Sequence, residues 1–356
     1  MLWAAPCCWS GPICTGMDWY FLLTPTALPA RASAAATRSG ARARLRPKGL
    51  APWRPIWGSS AGACRTSRSS TPMNRQFRGE APPVTINMIG LPRFRVATHG
   101  RGDIFVSRAI EDWGSWEASN TALLLQMLSQ PADFVDIGAN IGWFTLVAAH
   151  ALSGRGQVHS FEPDPAHLAK LRANVAANHL ENVTINGSAL SDRNDDARLY
   201  LNAVNRGDNS LLPSAERSGS TLVRLQRLDD YSGLSRERPL IAKLDVQGSE
   251  IDVLTGARTL LTSYPHEVVL FCEVSPTALA VGGRRTAELA ALLDELGFVA
   301  ALVDRIRPRI IPMSWQRLVE HQEDDNRRHP GADCDIVAFR RIDGLMAPIF
   351  TTRGAP

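Results

Sequence analysis

The stretch that most limits how this chain can fold is Phe134-Val135-Asp136-Ile137-Gly138-Ala139-Asn140-Ile141-Gly142, followed downstream by Phe161-Glu162-Pro163. An apolar strand runs into a glycine-rich turn, then an apolar helix over 141–152, a second strand over 158–161 and an acid at its end. This order predicts a doubly wound α/β fold, which binds ligands at the carboxyl ends of its parallel strands.

The rest of the chain fits that frame. Asp164 and Pro165 form an N-cap and N1 pair for a third-layer helix. Further strands are predicted over 183–185, 240–245, 268–272, 298–303 and 336–340, with a helix over 288–296. Asn140 is the expected N-cap of the first helix, and Ser249 with Asp252 has capping-box spacing for another. Residues 196–228 alternate like a hairpin inserted into the α/β order. Strands alternating with helices imply a mostly parallel, seven-stranded sheet with helices on both faces.

Four segments are expected. Residues 1–72 form an extension, 73–130 an N-terminal cap, 131–342 the α/β domain and 343–356 a C-terminal tail. The cap is predicted to hold strands over 84–88 and 104–107 and a helix over 122–128 ended by Pro131. The extension has no sustained period, carries five of nine tryptophans and is rich in Arg, Ala, Ser and Pro. It reads as disordered or as an upstream addition, with Met73 or Met88 as alternative starts, and its Arg/Ser bias is also that of a transit peptide.

Charge is unevenly spread. Residues 1–72 hold nine basic residues and one acid, a balance of +8; the remainder holds 30 basic and 34 acidic residues, a balance of −4. A mildly acidic folded part argues against a nucleic-acid partner. The apolar run at Trp19–Leu23 stops at Pro25, too short for a membrane anchor. The six cysteines show no Cys-x-x-Cys pair, so a reducing, cytoplasmic setting is expected. Glu320–Arg328, with His321, Asp324, Asp325 and nearby His329, reads as a solvated helix and not a metal site.

The chemistry concentrates at strand ends. Gly138 and Gly142 leave room for close backbone approach, and the following helix offers free N–H groups to an anion. The spacing is G-x-N-x-G, not the G-x-G-x-x-G of a dinucleotide site. With Asp136 before it, the turn suits S-adenosylmethionine better, with the amino-acid end where a pyrophosphate would lie. Glu162 ends the second strand, where an acid accepts from both ribose hydroxyls. Ser188 and Asp192 follow the third strand, on the side expected for the base. Lys243, Asp245 and Glu250 close the fourth strand, where a carboxylate can take a proton from an attacking hydroxyl. Two other readings share these residues: a nicotinamide-dependent dehydrogenase and a binding module without catalysis.

As a set, four blocks resemble the FkbM-type methyltransferase family within the class I S-adenosylmethionine-dependent fold. They are Val135–Phe144, Phe161–Pro165, Ala189–Asp192 and Lys243–Glu250 with Val253–Ala257 behind it, over about residues 110–340. Asn209-Ser210-Leu211 and Leu228-Asp229-Asp230 look like landmarks between them. The resemblance implies O-methylation of a hydroxyl on a sugar, glycolipid or other secondary metabolite, and no metal is expected in the reaction. It also marks Glu117, which follows Trp116, and Asn209 as residues on the substrate side. Family members often carry Glu where this chain has Gln247, which would pass any acidic role there to Asp245 or Glu250.

Overall fold

The computed structural model describes residues 82–341 and 344–351, all within one compact unit, Arg78–Pro356. The expectations for residues 1–72 lie outside the described residues.

Strands β1 (Val84–Ile86) and β2 (Phe94–Val96) form an antiparallel hairpin, followed by helices α1 (Val106–Trp113) and α2 (Ala118–Met127). The strand expected over 104–107 is instead a turn into α1. The buried Asp103 carboxylate accepts from the Ser107 amide (2.9 Å) and hydroxyl (2.8 Å), which bends the chain into a helical entry.

The core then alternates as expected: β3 (Asp133–Ile137), α3 (Trp143–Leu152), β4 (Val158–Phe161), α4 (Pro165–Ala177) and β5 (Val183–Asn186). Strands β6 (Ala189–Leu190), β7 (Asp195–Leu201) and β8 (Gly219–Gln226) form a separate three-stranded sheet, the expected excursion. The chain re-enters the main sheet at β9 (Leu240–Leu244). Helices α5 (Glu250–Gly256) and α6 (Arg258–Ser263) lead to β10 (Val268–Val274). Next come α7 (Pro276–Val281), α8 (Thr286–Glu295), β11 (Val299–Val303), β12 (Ile310–Met313), α9 (Trp315–Arg328), β13 (Cys334–Arg340) and α10 (Ala347–Thr351).

The main sheet has eight strands, not seven, in the order β12-β11-β13-β10-β9-β3-β4-β5. The run β5-β4-β3-β9-β10 is parallel, and β13 inserts antiparallel between β10 and β11. The extra strand is β12, which lacks an expected counterpart; the helix expected over Glu320–Arg328 is the C-terminal part of the longer α9. The central strands serve two cores. On β3, Phe134 packs with α2, α3 and the hairpin, while Val135 and Ile137 pack on the face of α5, α6 and α8. Both faces are therefore buried, as a parallel sheet requires.

The expected tail is not free over 344–351. Leu345, Met346 and Ile349 are buried, and the Leu345 and Met346 amides donate to the buried Glu267 carboxylate at 2.8 and 3.1 Å. Sequence position also misled for two caps. Helix α3 begins two residues later than expected, with Gly142 as N-cap, and the Asn140 side chain accepts from the Ile141 amide instead (2.7 Å). Ser249 precedes α5, but its side chain makes no capping bond.

Candidate functional site

The direction in which successive strands are added to the sheet reverses between β3 and β9, which run parallel. From β3 the order runs outward through β4 to β5; from β9 it runs the other way to β10. The loops leaving β3 and β9 therefore diverge and leave a crevice between them. Gly138 (φ 83°) makes this junction tight: a Cβ there would lie 2.0 Å from the Asp245 carbonyl oxygen. Gly142 (φ 93°) has another role, because a Cβ would meet Leu171 Cδ1 at 2.5 Å, so this glycine admits α4 against α3. It lines neither cavity described below.

Two cavities open along the crevice. The first, of about 60 Å³, has apolar walls from Ile137, Phe161, Pro163, Leu190 and Val246, with Glu162 at one side. Glu162 is buried; its Oε2 accepts from the Asn140 amide (2.7 Å) and its Oε1 from the Asp164 amide (2.8 Å). Two carboxylate oxygens offer about four acceptor positions, so capacity remains for further donors. His167 Nδ1 lies 3.7 Å from Glu162 Oε1. Burial disfavours its charge, but Glu162 outweighs this and raises the imidazole above its ordinary value. The segment Arg206–Leu211 also lines the cavity. Asn209 Nδ2 donates to Asp164 Oδ2 (2.7 Å), and Ser210 Oγ donates to the Gln247 carbonyl (2.8 Å).

The second cavity, of about 250 Å³, is bounded by Trp116, Glu117, Asp136, Trp143, Phe144, Lys243, Asp245, Gln247, Glu273 and Asp333, among others. At its centre Lys243 Nζ lies 3.2 Å from Asp245 Oδ2 and 3.4 Å from Glu117 Oε2, and 5.1 Å from the Phe144 ring centroid. Burial works against the ammonium, but Asp245 and Glu117 overcome it and hold Lys243 well above its usual value. Gln247 Nε2 bridges Asp245 Oδ1 (2.7 Å) and Glu273 Oε2 (2.8 Å). Burial pushes Glu117 up to about 7 against the pull of Lys243. Glu273 is driven well above its ordinary value by burial and then by Asp245. Asp136, under the Gly-rich turn, accepts from Thr145 Oγ1 (2.5 Å) and is raised to about 6 by burial.

Of the predicted site residues, Gly138, Asn140 and Asp245 line both cavities, and Glu162 and Asn209 line the first. Asp136, Lys243 and Glu117 line the second. Besides Gly142, three others do not reach either cavity. Ser188 Oγ donates to Gln226 Oε1 (3.3 Å), held by the excursion sheet. Asp192 turns outward to Arg193 (2.9 Å). The buried Glu250 accepts from the Gly248 amide (3.1 Å) and folds back on its own loop. Glu273 and Asp333 were missed. Glu273 had a readable signal, since it follows the apolar run of β10 at the same sheet end as Asp245.

Residues 136–300 match the family model described as "Methyltransferase FkbM domain". Over that segment the chain is similar to FkbM-type methyltransferases. A segment of it is 29% identical, over 216 aligned residues, to the AMB antimetabolite synthetase AmbE of Pseudomonas aeruginosa. That alignment takes in 49% of this chain and 10% of the relative, so the chain spans about a tenth of that protein's length. Among solved structures, the precorrin-6y C5,15-methyltransferase of Geobacter metallireducens aligns at 14% identity and a TM-score of 0.34, over 62% of this chain and 88% of that one. The SAM-dependent O-methyltransferase of Thermotoga maritima aligns at 15% identity and a TM-score of 0.35, over 65% and 71%. Among the described residues no helix is long and apolar enough to cross a membrane, and no cluster of His, Cys, Asp or Glu is arranged to hold a metal ion.

Proposed function

We propose that the FkbM-like domain uses S-adenosylmethionine to methylate a hydroxyl of a small-molecule acceptor: a sugar, a glycolipid or another secondary metabolite. The observation that carries this reading is that the two cavities share Gly138, Asn140 and Asp245. A ligand in the first and an acceptor in the second would meet at one carboxylate.

The first cavity has the chemistry a nucleoside needs. Its walls are apolar, Glu162 keeps free acceptor capacity, and Ser249 brings a buried hydroxyl without a partner. At about 60 Å³ it is well below the roughly 300 Å³ of a formed ligand pocket, so the cavity must widen for a ligand to enter. Glu162 would hold the ribose hydroxyls, and Gly138 and Asn140 would frame the amino-acid end. When bound, S-adenosylmethionine supplies an electrophilic methyl group and leaves as S-adenosylhomocysteine.

Asp245 is the residue we assign as base. Its side chain is 25% exposed, against 4% for Lys243, so it can meet an acceptor while its partners stay fixed. Gln247 on Oδ1 and Lys243 on Oδ2 fix the carboxylate plane. Each oxygen keeps a lone pair for the hydroxyl proton, and Lys243 offsets the charge around it. The likeness to a segment of an antimetabolite synthetase supports a secondary-metabolite acceptor among the three classes.

Calorimetric titration with S-adenosylhomocysteine, NAD and a short RNA tests the cofactor reading; binding of the first alone is expected, and binding of NAD alone would overturn it. Incubation with methyl-labelled S-adenosylmethionine and pools of sugars, glycolipids and hydroxylated metabolites tests the acceptor. Label recovered on nitrogen or carbon would overturn the hydroxyl assignment.

A further inference from the structure

Ser249 lines the first cavity and is 3% exposed, yet its Oγ has no hydrogen-bond partner. A buried hydroxyl left unpaired is costly, and such groups in folded proteins call for an explanation. Capping of α5 does not provide one. A capping serine needs extended backbone so that its oxygen can reach back to the second or third amide. Ser275 (ψ 106°) and Ser314 (ψ 155°) have it and accept from Ala278 and Arg317. Ser249, at φ −101° and ψ 15°, does not.

The surroundings of Ser249 define what it can meet. The cavity wall it shares includes Phe161, Pro163, Ala189, Leu190 and Val246, which suits the faces of a flat ring. Two other buried atoms on this cavity lack partners, His167 Nε2 and Arg206 Nε. Both belong to the Glu162 side, since His167 Nδ1 lies 3.7 Å from Glu162 and the charge of Arg206 acts on His167. The two residues expected to read the base, Ser188 and Asp192, are engaged on Gln226 and Arg193.

We propose that Ser249 is a specificity-determining residue of the cofactor site, its hydroxyl accepting from the exocyclic amine of the purine. The proposal rests on the S-adenosylmethionine reading given above. The amine is the only hydrogen-bond donor on an adenine base once the sugar is attached, and Ser249 supplies an unpartnered acceptor in a cavity to which Phe161, Pro163, Ala189, Leu190 and Val246 add apolar wall.

The test is a cycle of two proteins and two ligands by calorimetry. Wild type and Ser249→Ala are titrated with S-adenosylhomocysteine and with its analogue carrying hydrogen in place of the 6-amino group. Replacing Ser249 should weaken S-adenosylhomocysteine roughly tenfold, the worth of one hydrogen bond, and leave the deaminated analogue unchanged. Ser249→Cys, of similar size and weaker hydrogen bonding, should fall between. Because Ser249 does not cap α5 and its buried hydroxyl is unpaired, neither variant should melt below the wild type. Equal losses on both ligands, or no loss on either, would overturn the proposal while leaving the cofactor reading intact. If wild type binds neither ligand, the cofactor reading falls and this assignment with it.

Discussion

Lys243 Nζ stands 3.4 Å from Glu117 Oε2, joining strand β9 to the residue that opens helix α2. Glu117 holds a left-handed φ of 41°, an uncommon state for a residue with a side chain. The N-terminal helices thus contribute a charged wall to the second cavity as well as covering the sheet.

Removing that ammonium should be expensive. In Lys243→Met, Glu117 and Asp245 face each other without a cation, and breaking a buried ion pair this way costs about 3–5 kcal/mol. The burden should be relieved in acid: Glu117 is already raised to about 7, and without Lys243 it rises further. A carboxyl whose folded value exceeds its unfolded value contributes stability at low pH and loses it as pH rises through the folded value. Thermal melts of the variant should therefore approach wild type at pH 5 and fall away at pH 8; a constant gap would refute the account.

Glu250 offers a cleaner pH test. Burial pushes it up to about 7 from an ordinary 4.5, and no charged partner appears among its hydrogen bonds. Its protonated form stabilises the fold below pH 4.5, and that contribution is lost as pH rises through 7. Glu250→Gln can still accept from Gly248. It should gain stability relative to wild type between pH 5 and 8, by at most about 3 kcal/mol. Denaturant titrations at the two pH values measure the difference.

Glu162→Ala should lower affinity for S-adenosylhomocysteine by about 2–3 kcal/mol, the scale of charge-assisted hydrogen bonds. It also frees the amides of Asn140 and Asp164, so a fall in melting temperature should accompany the loss. Unchanged calorimetric affinity would remove Glu162 from the ribose.

Asp245→Asn keeps the shape and can still accept from Lys243. Turnover on the identified acceptor should drop about 10²–10⁴-fold, the usual contribution of a positioned base, with cofactor affinity little changed. A variant with full turnover would show that another group takes the proton.

Much of this was readable in advance where function sits on regular elements. The β3 turn, the acid ending β4 and the Lys243–Asp245 pair occur at strand ends, and strand ends are fixed by apolar periodicity. Glu250 folds back on its own loop, and a helix-entry acid looks the same in sequence whether it faces a ligand or that loop; the positive φ at Gln247 (53°) and Gly248 (103°) is not legible there. Ser188 and Asp192 lie off both cavities because β6 leaves the main sheet to pair with β8, a long-range choice that local pattern does not record. Asp333 reaches the cavity from a segment far along the chain, with Arg305 holding it, and nothing near it in sequence marks that destination.

The carbonyl of Asp245 occupies the space a side chain at position 138 would need. The strand turn proposed to hold the cofactor and the residue proposed as base are thus seated in one another, and neither can be retuned alone. In a mutational library of this domain, position 138 should accept no other residue unless the backbone after β9 changes with it. Survivors should carry their second change between 245 and 248, a pairing that deep sequencing of selected variants would reveal.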